Sequence, residues 1–102
     1  MTDNGIAERL LQLKKNIPRN HTSAGAKHLN SRLQEYIRIV LTLPEAYKTV
    51  KQKQENNFPA LQLKVEEVEN PLSGYRVSKV AFKEAVLLLH NEIDNLLIAV
   101  TE

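Results

Sequence analysis

Cysteine is absent from the chain, which removes disulfide bridges, thiolate metal sites and a cysteine nucleophile together. The absence fits a reducing compartment, and a cytoplasmic location is the expectation. Tryptophan is missing too, and the few aromatics are three Tyr and two Phe, so an aliphatic core is expected. With only three glycines there is little room for a phosphate-cradling loop, and no nucleophile elbow or HExxH pair occurs. These gaps argue against an enzyme and against a cofactor, and no small-molecule substrate is evident. No apolar run approaches the roughly 18 residues needed to span a bilayer. The polar residues Met1–Gly5 do not read as a secretory signal, so the Asn20-His21-Thr22 sequon is a chance match.

What is present is amphipathic helix. With 102 residues the chain reads as a single helical domain over 1–102. The strongest stretch runs from Ser78 to Glu102, where Phe82, Val86, Leu89, Ile93, Leu96 and Val100 recur at alternating spacings of four and three. Ala81, Ala85, Leu88, Leu97 and Ile98 widen this seam, while Lys83, Glu84, Asn91, Glu92, Asp94 and Asn95 fall mostly on the remaining face. So broad an apolar arc predicts the central helix of the core. It also exceeds what shorter helices are expected to cover, which makes the six seam residues a candidate interface for a homodimer or a larger protein.

Earlier in the chain, Ile6, Leu10, Leu13 and Ile17 predict a first helix over about 4–16, stopped by Pro18. Ala26, Leu29, Leu33, Ile37 and Val40 predict a second over about 23–42, with Thr22 or Ser23 as its cap. Tyr36 and Leu41 flank that seam. Thr42-Leu43-Pro44-Glu45 reads as a break and a restart, with Thr42 and Glu45 as a capping box for a third helix over about 44–55. Asn56-Asn57-Phe58-Pro59 ends it. In residues 60–77, Leu61, Leu63 and Val65 alternate with polar residues, and Asn70-Pro71-Leu72-Ser73-Gly74 is a turn cluster. That pattern predicts a β-hairpin of about 60–68 with 74–79. A helix over 59–69 competes with it: its residues are good helix formers, but Glu66, Glu67 and Glu69 would crowd its C-terminal end. The fold class is therefore mainly α, an antiparallel helical domain with a long C-terminal core helix and a hairpin or short helix before it.

Charge is uneven along the chain. Residues 1–53 hold ten Lys/Arg against four Asp/Glu, and residues 54–102 hold four against eight. Basic and acidic helices that complement each other account for this simply. A basic face for nucleic acid or an acidic protein is the sharper reading. His21 and His28 lack a third ligand for zinc, His90 sits at the polar edge of the last helix, and Glu66, Glu67 and Glu69 read as a solvated run.

Two resemblances follow from these residues. Three helices, a wing at 60–79 and a long last helix resemble the winged-helix regulators. That likeness implies DNA contacts by Lys48, Lys51 and Lys53 on the short third helix. If 59–70 is helical instead, the chain is four amphipathic helices. Ala46-Tyr-Lys-Thr-Val-Lys-Gln-Lys-Gln-Glu-Asn-Asn-Phe58 is then similar to a helix running into an Asn-Phe loop in the small immunity proteins against pediocin-like bacteriocins. That resemblance covers about a third of the chain and implies one dedicated protein partner. Non-catalytic protein–protein binding is the function expected first, with nucleic-acid binding and immunity as alternatives.

Overall fold

The computed structural model describes residues 4–19, 22–68 and 79–101. Five α-helices account for most of them: α1 (Asn4–Lys15), α2 (Ser23–Leu41), α3 (Lys48–Glu55), α4 (Phe58–Val68) and α5 (Lys79–Thr101). A 3-10 turn, Glu45–Tyr47, leads into α3. No strand occurs among the described residues.

Helix α1 buries Ala7, Leu10 and Leu13, with Ile17 just beyond its end. It closes with bonds from the Asn16 N–H to the Gln12 and Leu13 carbonyls, both 3.1 Å, before Pro18 forbids continuation. Arg32 on α2 donates to the freed Asn16 carbonyl at 3.2 Å, satisfying one of the acceptors a helix end leaves open. Thr22 caps α2, its hydroxyl accepting the Gly25 N–H at 3.0 Å.

At the other end of α2, Thr42 works differently from the expected restart. Its hydroxyl donates back to the Arg38 and Ile39 carbonyls at 2.9 and 3.2 Å, so it closes α2 and does not cap α3. Pro44 disfavours helical backbone at Leu43, and the chain re-enters through the 3-10 turn, with the Tyr47 N–H bonded to the Pro44 carbonyl at 2.9 Å. Helix α3 therefore begins at Lys48 and not at Pro44.

The hairpin expected over 60–79 is not formed: its first strand is the helix α4. Asn56-Asn57-Phe58-Pro59 separates α3 from α4 by two residues and starts the second as it ends the first. The Asn57 carbonyl accepts the Leu61 N–H at 3.1 Å, and Pro59 stands in the first turn, where no N–H is required. Leu61, Val65 and Val68 are buried at spacings of four and three, while Leu63, which completed the strand-like alternation, is 57% exposed. The crowding of carboxylates at the helix end is eased by Lys64, which lies 3.7 Å from Glu67 and 3.4 Å from Glu84 of α5. Glu69, Asn70 and the expected return strand up to Ser78 lie outside the described residues.

Helix α5 touches each of the other four. Asn57 meets Glu92 and Lys64 meets Glu84, so α4 ascends as α5 descends. Between α1 and α2, Arg32 reaches the end of α1 at the Asn16 carbonyl. Phe82, Ala85, Leu89, Ile93, Leu96 and Val100 of α5 are all buried within the chain. The expectation that this seam outruns its cover is thus corrected: helices α1 to α4 cover it. Only Val86 of the six expected interface residues is partly exposed, and it packs against the core edge.

Candidate functional site

Two places depart from an aliphatic bundle. One is a buried polar cluster at the junction of α2, α3, α4 and α5. Glu92, on the face of α5 expected to be solvated, is buried. Its carboxylate accepts the Gln54 side-chain amide at 2.8 Å and the Asn57 amide at 3.2 Å. The Gln54 amide also donates to the Tyr36 hydroxyl at 2.7 Å, and Tyr36 is hydrogen-bonded to Glu92 in turn. The Tyr36 ring meets Phe58 edge-on, centroids 6.1 Å apart. Burial raises the Tyr36 phenol well above the ordinary tyrosine range; the Gln54 amide pulls it down, and the Glu92 charge and hydrogen bond push it up further. No buried side-chain polar atom lacks a partner among the described residues. A fully satisfied network of this kind orients helices against one another.

The sequence carried a signal for it. Ala85, Leu89, Glu92 and Leu96 follow one another at spacings of four, three and four, so the carboxylate stands inside an apolar stripe. Gln54 had no such mark within the polar α3.

The second place is a groove of about 510 Å³ between the end of α1 and the first half of α5. Lys14, Lys15 and Arg19 line one side; Lys83 and His90 line the other. Ile17, Pro18, Phe82, Val86 and Leu87 supply its apolar surface. No acidic residue lines it among the described residues. A broader and more open concavity between α1 and α2, about 1030 Å³, shares Lys14, Lys15, Arg19 and His90 with it. Burial, followed by the Lys14 charge, lowers the His90 pKa; Asp94 opposes this and Arg19 adds to it. Asp94 is itself held by Lys14 at 2.6 Å.

Of the expected nucleic-acid residues, Lys48 and Lys51 stand three apart on one side of α3 and Lys53 stands on another. Lys51 pairs with Glu55 at 3.9 Å, while Lys53 lies against the α3–α5 cleft beside Gln54 and Asn57. At about 100° per residue, Lys51 and Lys53 point roughly 160° apart. The eight-residue α3 also buries Gln54 and partly buries Val50, so one side of it packs on the core. His28 is exposed on α2, and His21 lies outside the described residues. No group of three or more metal-ligating side chains converges among the described residues. No helix there is long and apolar enough to cross a membrane.

Comparison with family models, with curated proteins and with solved structures found no match for this chain.

Proposed function

We propose that this chain is a non-catalytic helical protein that acts by docking on another protein, using the α1–α5 face. The observation that supports this reading is the meeting, at one concave site, of exposed aliphatic carbon with Lys15, Arg19 and Lys83, which have no carboxylate partner among the described residues. Because the α5 seam is consumed internally, docking falls to this groove and not to a dimer built on Leu89, Ile93 and Leu96.

A more specific form turns on α4. With residues 58–68 helical the winged-helix alternative is left without the first strand of its wing, while the resemblance to bacteriocin immunity proteins, which implied four helices, meets five among the described residues. In that form the protein shields its producer from a toxin through one dedicated partner.

The docking reading is tested by photo-crosslinking in the native cells, with a crosslinker placed at Leu87 in the groove or at Leu63 on α4. Both positions are exposed, at 62% and 57%. A discrete adduct from Leu87 and none from Leu63 is expected; equal or absent adducts would refute the reading. The immunity form predicts that expression in a strain sensitive to a pediocin-like bacteriocin raises the inhibitory dose about ten-fold or more. An unchanged dose across the group refutes that form.

A further inference from the structure

We infer that the groove between α1 and α5 receives an acidic, amphipathic helical segment of the partner protein. The inference rests on the docking reading above and adds the chemistry of what is bound.

Charge is the first argument. Lys14, Arg32, Lys51 and Lys64 each have a carboxylate partner within the chain. Lys15, Arg19 and Lys83, all exposed on the groove, have none among the described residues. Three cations without carboxylate partners among the described residues, around a site that no described carboxylate lines, set up a field that carboxylates of a partner would complete.

Spacing is the second. Leu87 is 62% exposed on the groove, and Val80, one heptad before it on the same side of α5 and just outside the groove's lining, is 67% exposed. Seven residues of helix rise about 10.5 Å, so these two aliphatic groups repeat at the distance at which an amphipathic helix presents its own i and i+7 side chains. Lys83 stands between them. Glu84, the neighbouring carboxylate, is turned to α4 and held by Lys64, so it does not oppose an acidic ligand.

The same features bear on other anions. A nucleic acid would gain little here: the aliphatic surface offers phosphates nothing, and Phe82, the aromatic ring of the groove, is 3% exposed and offers no face for a base. An anionic bilayer is the competing surface for exposed Val80 and Leu87 beside lysines, and the vesicles used below separate it from a helical segment.

The test uses a fluorescein-labelled peptide of about 18 residues built from Leu, Ala and Glu, with Leu at helical spacing and Glu on the flanks. A scrambled peptide of equal composition, phosphatidylglycerol vesicles and duplex DNA serve as competitors. Binding of the amphipathic peptide is expected by anisotropy, weakening between about 50 and about 500 mM salt. It should weaken about ten-fold with Leu87→Asp, and similarly with Lys15→Glu combined with Lys83→Glu. These side chains are exposed, and circular dichroism checks the fold; should Leu87→Asp unfold, Leu87→Ser takes its place. Equal binding of the scrambled peptide, preference for vesicles or DNA, or affinity untouched by the variants would overturn the inference. A Leu87-specific crosslink without peptide binding would overturn the acidic chemistry alone; no crosslink would remove the docking reading as well.

Discussion

Replacing Glu92 with leucine is the sharpest test of the buried cluster. The substitution keeps the volume and removes the acceptor shared by Tyr36, Gln54 and Asn57. Asn57 is exposed and regains water, so its amide loses little. Tyr36 and Gln54 are buried, and each would hold a donor facing hydrocarbon. At about 1–3 kcal/mol for each of the two orphaned groups, the expected loss is roughly 2–6 kcal/mol. That is a large share of the roughly 5–15 kcal/mol that holds a domain together. The informative comparison is the triple variant Tyr36→Phe, Gln54→Leu, Glu92→Leu, which removes donors and acceptor together. It should recover most of the loss, because a polar network exchanged whole for hydrocarbon of similar shape is close to neutral. Urea unfolding followed by helical circular dichroism measures both. A Glu92→Leu variant within about 0.5 kcal/mol of the parent would refute the reasoning, and so would a triple variant as unstable as the summed single changes.

Further predictions follow from the same geometry. The raised Tyr36 pKa means the unfolded chain ionises first; stability is complete below about pH 10 and declines as pH rises above it, and Tyr36→Phe should flatten that decline in unfolding measured across alkaline pH. The lowered His90 pKa has the opposite sense: the unfolded chain takes up the proton first, so this stability is present above about pH 6.5 and is lost as pH falls. His90→Gln should remove that acid-side loss in the same assay. Leu89→Ala, at a fully buried position, should cost about 2–5 kcal/mol, whereas Leu87→Ala two residues earlier should cost little; equal costs would mean that the seam has been placed wrongly. Thr22→Ala should cost about 1 kcal/mol by releasing the Gly25 N–H, again by urea unfolding.

Legibility in the sequence varied with how local the cause was. Helices α1, α2 and α5 were readable because their buried residues repeat at three and four with polar residues between. Helix α4 was not, since Leu61, Leu63 and Val65 satisfy a strand period while Leu61, Val65 and Val68 satisfy a helical one. The choice was made by packing on α5, which buries the second set and leaves Leu63 in water. Thr42 can donate or accept, so its neighbours could not say which helix it would serve. Glu92 was hidden by the habit of giving charges to the wet face, although its place among Ala85, Leu89 and Leu96 marked it. The groove depends on where Pro18 and Arg19 lie against α5, whose first groove residue, Phe82, comes 63 positions after Arg19.

The carboxylate in the core also bears on how many ways this chain can be assembled. An aliphatic stripe repeating every heptad looks much the same to its neighbours after a slide of seven residues. Shift α5 by that amount and Ala85 or Ala99 stands where Glu92 stood, with the Tyr36 hydroxyl and the Gln54 amide facing a methyl group. The misplaced assembly keeps most of its hydrocarbon contacts and loses its hydrogen bonds. Glu92 therefore acts as a detent on an otherwise smooth rod: it adds little to the depth of the native state and much to its distance from the next one.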